Sequence, residues 1–539
     1  MAHDTTSGPT GPTEPAGTES TTTTKRSSGN EKNSYAPPTG SSSRHELRTK
    51  AGAIAYTASA DWLVLRKKEK PRAEMFSISY IVDAGGSSDP GAARPLTFVF
   101  NGGPGASSVY LHLGAMGPRR AQFTEQGLAP PPPYTLTDNE STWLEFTDLV
   151  FIDPIGTGFS RMIDDTGSGG SGANGGSGSA AGTAGGSGGG SSKDDEAETS
   201  EYWQLKRDLE SLGEFIRKYL SRFHRWDSPI YVAGESYGGF RAAKLTKLLQ
   251  QDYGVGLAGA VIISPAMEFT LLDGSDYDAL PWIDTFPTMA GAAWGHGKSR
   301  KKKQGEDLRS FMTRASEFAV KELLPVLAVG DLYGEDKKER VLRQAADFIG
   351  LDRDVVKIKN GRVSIDYFVK NLLREQRMHL GLYDASLKVS DPYSDRDSYS
   401  GPDPTLHHVE RVFAAGINTQ LRKAIGLETE RDYNLLSLTV NKGWKIDTRE
   451  HALDSQVGAT DDLRYGMSLN PHMKVYICHG IFDLVTPYFA AERITHLMKL
   501  TAEQQRMLTV KHYDGGHMFY TWDSSRAEFA SDMRAFYSA

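Results

Sequence analysis

The chain has 539 residues, enough for one large α/β enzyme or for roughly two to four average domains. Its 61 Lys plus Arg stand against 68 Asp plus Glu, and a formal charge of -7 gives no field that would gather nucleic acid or an anionic membrane. One cysteine, Cys478, excludes an intrachain disulfide and a thiolate metal cluster.

Residues 1–45 concentrate small polar residues with Gly and Pro and show no hydrophobic periodicity, so the expectation is a disordered tail. Met1–Thr24 has no apolar core of the secretory type, and no 18-residue apolar run occurs anywhere in the chain. Both observations point to an intracellular, cytoplasmic protein that neither spans a membrane nor is shaped by oxidation. Strand-like runs follow at Asp61–Arg66, Phe76–Val82, Leu96–Phe100 and Leu149–Ile152, separated by Gly/Pro-rich turns. The tract 167–193 is nearly all Gly, Ser and Ala, and reads as a flexible surface insertion ahead of a helix-like Glu198–Leu220.

Short, nearly continuous apolar runs resume at Pro229–Ala233 and Gly259–Ile263, with a helical period over Phe240–Leu249 between them. That alternation is the pattern of a parallel sheet, and Lys474–Cys478, helix-like Phe489–Leu500 and Leu508–His512 repeat it near the end. The intervening 268–470 has helix-like Leu308–Leu327, Glu339–Phe348 and Tyr367–Met378 but few strands, which predicts a largely helical cap closing near Ser364–Leu382. Trp282, Trp294, Tyr383 and Trp444 are its candidates for lining a pocket or filling a core. The expected order is therefore a tail over 1–45, a first core part over 46–267, a cap over 268–470 and a second core part over 471–539.

Gly234-Glu235-Ser236-Tyr237-Gly238 is a GxSxG pentad between an apolar strand and a helix, the setting of a strained turn that lifts a serine hydroxyl above a sheet. A second match at Gly185–Gly189 lies in the Gly/Ser tract with no strand before it and carries no such meaning. Serine needs a neutral imidazole to take its proton and a carboxylate to orient that imidazole. On an α/β-hydrolase sheet the acid and then the base follow the serine, each after a late strand, which selects Asp483 in His479-Gly480-Ile481-Phe482-Asp483 and His517 in Asp514-Gly515-Gly516-His517-Met518. His479 and His512 are rival bases at strand ends, and Asp461, Asp462 and Asp514 are rival acids without a buried strand before them at the right place.

An oxyanion needs two backbone donors. One is the N–H after the serine, at Tyr237; the other falls to Gly102 or Gly103 in Asn101-Gly102-Gly103-Pro104-Gly105, where glycine leaves room for a bound carbonyl. The spacing fits neither a dinucleotide loop nor a P-loop, and no motif implies a metal or another cofactor.

Taken together, Asn101-Gly102-Gly103-Pro104-Gly105-Ala106-Ser107-Ser108, Asp153-Pro154-Ile155-Gly156-Thr157-Gly158-Phe159-Ser160, Gly234–Gly239 and the His479–Asp483 and Gly516–Met518 segments resemble the serine carboxypeptidase family, peptidase family S10. The resemblance runs from about Leu96 to the C-terminus and implies an α/β-hydrolase fold with a central, mostly parallel sheet and a largely helical cap insertion. It also implies removal of the last residue of a peptide, with Ser236, Asp483 and His517 as triad and Gly103 and Tyr237 as oxyanion donors. Asn101, Gly102 and Glu235 match the family's ligands for the substrate's terminal carboxylate. Two ionised carboxylates in contact repel, so Glu235 can serve only if one of the pair is protonated. Three departures stand out: Ala106 where the family usually has Cys, Ile263-Ser264-Pro265-Ala266 in place of a Gly-Asn-Gly-like turn, and Gly239 in place of Ala. An esterase or acyltransferase on the same framework is the nearest alternative, and a noncatalytic binding protein using its low-complexity tracts is the remote one.

Overall fold

Five consecutive buried residues, most of them apolar, at each of Leu96–Phe100, Asp148–Ile152 and Gly259–Ile263 leave these strands no solvent-facing side. The computed structural model describes residues 35–50, 52–83, 93–163, 201–399, 401–446 and 457–538. The tract 167–193 and residues 1–34 of the expected tail lie outside the described residues.

The main sheet is built from β1 (Ser41–Thr49), β2 (Gly52–Lys67), β3 (Lys70–Val82), β4 (Leu96–Phe100), β5 (Asp148–Ile152), β6 (Ile230–Glu235), β7 (Gly259–Ile263), β8 (Lys474–Gly480) and β9 (Leu508–Tyr513). Their spatial order is β1-β2-β3-β5-β4-β6-β7-β8-β9. β1, β2, β3 and β5 pair antiparallel in turn, and every later pair is parallel. Alternation along each central strand feeds two separate cores. Val99, Phe151, Ala233 and Val261 face one of them, while Phe98, Val150, Val232 and Ile262 face the other. The second core is closed by α1 (Leu205–Arg222) and α2 (Tyr237–Asp252).

Two expected boundaries move. Residues 41–45 are strand, not tail: β1 pairs with β2 from Ser41↔Ala60 to Thr49↔Gly52, so backbone hydrogen bonds order a segment whose composition is polar. The cap is also shorter than 268–470. An independent helical core, with α3 (Leu280–Gly295), α4 (Leu308–Phe318) and α5 (Glu335–Ile349), extends from Ile283 to Ala385. Beyond it, α6 (Pro404–Asn418) and α7 (Thr460–Leu469) bury Val409, Val412, Phe413, Leu463 and Met467 against the sheet's own cores. The expected helix Leu308–Leu327 is interrupted after Phe318 by a π turn, and Tyr367–Met378 is helical only from Ile365 to Asn371 before Met378 enters a short strand.

The cap rests on the segment that carries Asp483. Ile481, Phe482 and Leu484 share its apolar core with Tyr488, which opens α8 (Tyr488–Leu497). Arg493 of α8 makes a two-bond ion pair with the buried Asp284 of α3, at 2.9 and 2.7 Å. Among the described residues, no helix is long and apolar enough to cross a membrane.

Within the cap, Lys370 Nζ donates to Asp391 at 2.5 Å and to the Tyr393 carbonyl at 2.9 Å, both charges being buried. Removing one partner strands the other in a site of low dielectric. Lys370→Met should therefore lose on the order of 3–5 kcal/mol in urea denaturation, and adding Asp391→Leu should recover most of it. Equal stability of Lys370→Met and wild type would contradict this account of the cap.

Candidate active site

β6 ends at Glu235 and α2 begins at Tyr237, which leaves a single residue, Ser236, to make the turn. Its φ of 62° and ψ of -126° are strained for a residue with a side chain, and its N–H donates to the Ile263 carbonyl at 2.9 Å. The turn is this tight because Gly234 has no Cβ to meet the Gly238 carbonyl. Ser236 stays partly exposed while its neighbours are buried.

The loop after β4 lies directly against this elbow. A Cβ on Gly102 would stand 2.5 Å from the Tyr237 nitrogen, a contact only glycine avoids. Gly103 and Tyr237 are thereby brought alongside. Tyr237 is the first residue of α2, so its N–H lacks an intrahelical acceptor, and among the described residues the Gly103 N–H has no acceptor either. The Tyr237 N–H stands at the positive end of the helix dipole. Asn101 is held from two sides, its Nδ2 donating to Glu235 Oε2 and its Oδ1 accepting from Leu111 N at 3.0 Å.

Glu235 is buried, and Tyr520 donates to its Oε2 at 2.8 Å while Oε1 has no partner among the described residues. Burial pushes its pKa up to about 7, against the pull of His517 and the hydrogen bonds from Tyr520 and Asn101, with the charge of Asp483 adding to the rise.

Asp483 and His517, separated by 34 residues, meet at 2.6 Å between Oδ2 and Nδ1. Asp483 is fully buried and fully engaged: Oδ1 accepts from the N–H groups of Val485 and Thr486 at 2.9 and 3.1 Å, and Oδ2 also accepts from Thr486 Oγ1 at 2.6 Å. Burial alone would lower the basicity of His517, yet the charge and hydrogen bond of Asp483, with the charge of Glu235 beyond, hold it above the ordinary imidazole value.

Four residues that the sequence did not single out as site members complete the arrangement. Ser264, buried with φ of 41°, donates through Oγ to the His517 carbonyl at 2.9 Å and accepts from Thr486 Oγ1 at 3.0 Å. Tyr520 supplies the bond to Glu235, and Thr486 those to Asp483. Tyr383, singled out only as an aromatic of the cap, accepts the His517 N–H at its carbonyl at 2.6 Å and sets its ring edge-on to the imidazole at 5.2 Å. Of the other cap aromatics, Trp444 packs on Tyr237 at 5.2 Å, whereas Trp282 binds the Ser275 carbonyl and Trp294 lies under Lys302.

Among the described residues, none of the rivals hydrogen-bonds Asp483 or His517. His479 and His512 face each other across β8 and β9, and burial lowers both, His512 to about 4. Asp462 pairs with Lys244 and Lys247, and Asp514 with Arg309. Asp461 lies 3.5 Å from Arg464. At the far end of the early loop, Asp153 Oδ1 accepts from Ser108 N and Tyr433 Oη, and Ala106 forms an antiparallel bridge with Leu436.

The sequence and the fold have counterparts among known proteins. The family model described as serine carboxypeptidase matches residues 80–270, a stretch holding Asn101, the Asp153–Ser160 loop, Ser236 and Ser264. Over that stretch the chain is similar to the serine carboxypeptidase family. Pheromone-processing carboxypeptidase kex1 of Aspergillus niger is 29% identical over 163 residues, which is 30% of this chain and 20% of that protein. The KEX1 protein of Pyricularia oryzae is 42% identical over 151 residues, 28% of this chain and 17% of its own. The chain thus spans about a fifth of the length of these pheromone-processing carboxypeptidases. The solved structure of Kex1(delta)p, a prohormone-processing carboxypeptidase from Saccharomyces cerevisiae, aligns with a TM-score of 0.50 at 16% identity, covering 89% of this chain and 91% of that one. The shared fold is the α/β-hydrolase fold. Asp483 and His517 lie beyond the matched residues 80–270, and their pairing rests on the geometry above.

A carboxyl whose proton is held up to about 7 when folded, against an ordinary 4.5, supplies stability that is complete below 4.5 and lost as pH rises through 7. Glu235→Gln removes that loss. The variant should gain on the order of 3 kcal/mol over wild type at pH 8 and nothing at pH 4, as read from urea midpoints. A gain independent of pH would contradict the buried, protonated Glu235.

Proposed function

We propose that this protein is a serine carboxypeptidase, which removes the C-terminal residue of peptides through an acyl-enzyme. Glu235 carries the proposal: a buried carboxyl with one free oxygen, held by Asn101 and Tyr520, directly precedes the elbow serine and lies within electrostatic reach of His517. An ester-cleaving site has no need of such a group, whereas a site that reads a terminal carboxylate needs a protonated partner for it.

In this mechanism Ser236 Oγ attacks the last peptide carbonyl as its proton passes to His517, and Asp483 stabilises the imidazolium that results. The oxygen gains charge against the N–H groups of Gly103 and Tyr237. His517 then gives the proton to the departing amine, so the C–N bond breaks and the acyl-serine remains. Water, losing its proton to His517, cleaves that ester and restores Ser236. The terminal carboxylate is bound by Asn101, the N–H of Gly102 and protonated Glu235, which place the scissile carbonyl one residue from the chain end. The substrate class is peptides with a free C-terminus.

Opposed pH demands follow. Glu235 must hold its proton, which fails above about 7, and His517 must be neutral, which fails below its raised value. For an N-blocked dipeptide, KM should rise above pH 7, while an N-blocked amino-acid ester, lacking the carboxylate, should show only the acid limb. Glu235→Gln has no proton to lose, so its dipeptide KM should show no rise above pH 7. Ser236→Ala should lose at least about 1000-fold in kcat on both substrates. Cleavage of the dipeptide amide as fast as the free acid would refute carboxylate recognition.

A further inference from the structure

Arg241 is an anomaly in its helix. It lies on the apolar face of α2 with Tyr237 and Leu245, is 1% exposed, and meets Asp208 of α1, itself 3% exposed. The pair is a fork: Nε donates to Asp208 Oδ2 at 2.7 Å and Nη2 to Oδ1 at 2.9 Å. The remaining nitrogen points elsewhere, as Nη1 donates to the backbone carbonyl of Asn101 at 2.9 Å. The guanidinium plane also lies 4.7 Å from the Tyr237 ring centroid and 5.8 Å from that of Trp444.

A buried ion pair gives little net stability compared with apolar residues of the same volume. What this pair adds is a link. Its helix begins at the elbow, and its third hydrogen bond ends on the residue whose side chain holds Glu235. The guanidinium is rigid, and Asp208 uses both oxygens on it, so the position of the Asn101 carbonyl is set relative to Tyr237. Gly102 and Gly103 follow Asn101 directly, so the carboxylate site and one oxyanion donor share this anchor.

We propose that Arg241, clamped by Asp208, is a positioning residue that registers the Asn101–Gly103 loop against the nucleophile elbow, so that carboxylate binding and oxyanion stabilisation both depend on it. This rests on the carboxypeptidase reading for its substrate but not for its geometry. Displacing such a loop by about 1 Å should lower turnover on the order of 100-fold.

The test compares wild type, Arg241→Lys, Arg241→Met and the paired Asp208→Leu with Arg241→Met. Each is assayed on an N-blocked dipeptide and an N-blocked amino-acid ester, with melting temperature and near-UV circular dichroism as controls for folding. The paired variant leaves no orphan charge and keeps the proposal testable if Arg241→Met does not fold. The expected result is a peptide KM raised about 10-fold or more, an ester KM within about twofold of wild type, a kcat lowered on both, and partial recovery in Arg241→Lys. A purely structural pair would lower the folded fraction, reducing apparent kcat equally on both substrates with KM unmoved, and that result would overturn the proposal. So would a folded paired variant with wild-type constants. If the wild type spares the peptide, the carboxypeptidase reading fails. The brace is then judged by the rate at which an alkyl phosphonate labels Ser236, where a fall of about 10-fold or more in the paired variant supports it and an unchanged rate overturns it.

Discussion

Three loops from three different strands converge on the backbone just after β7, and the site depends on that convergence. The carbonyl of Ile263 accepts the Ser236 N–H, Ser264 Oγ reaches the His517 carbonyl, and the Ser264 carbonyl accepts from Thr486, which in turn donates to Asp483. A hydroxyl has one proton, so Thr486 divides it between Asp483 at 2.6 Å and Ser264 at 3.0 Å, and the shorter bond marks the stronger partner. Parallel strands make this possible because all of them present their C-terminal ends on one edge of the sheet. The turn at Ile263–Ala266 is thus the point through which the segments carrying Ser236, Asp483 and His517 are joined.

Electrostatics follow from the same crowding. Asp483 accepts hydrogen bonds at both oxygens, whereas Glu235 is buried, has one oxygen unpartnered among the described residues, and holds its proton to about 7. The cap adds to this arrangement from outside the sheet, since residues 382–385 cross between the acid and base loops. Leu484 donates to the Leu382 carbonyl, His517 to that of Tyr383, and Ala385 to that of Phe482.

The parallel strands were legible because burial on both faces writes them as continuous apolar runs, and Leu96–Phe100 and Gly259–Ile263 appear in the structure with those bounds. β1 was not, because an edge strand exposed on alternate residues needs no apolar composition, and Ser41-Ser42-Ser43 reads as tail until its partner β2 is known. In the site, Ser236, Asp483 and His517 could be selected because their chemistry requires a chain order and strand ends. Ser264, Thr486 and Tyr520 act through distances that spacing does not encode. Thr486 left one trace, its place three residues after Asp483, where an Asp side chain commonly accepts from the following backbone. Arg241 left another, a charge on an otherwise apolar helix face.

The central claim joins a reactive serine to recognition of a free carboxylate, and one labelling experiment addresses both halves. The protein is treated with a radiolabelled alkyl phosphonate at pH 6, alone, with an excess of an N-blocked amino acid bearing a free carboxylate, or with its amide, and the adduct is mapped by mass spectrometry. The account predicts a single adduct on Ser236, slowed by the free acid and not by the amide. An adduct elsewhere, or equal protection by acid and amide, would contradict it.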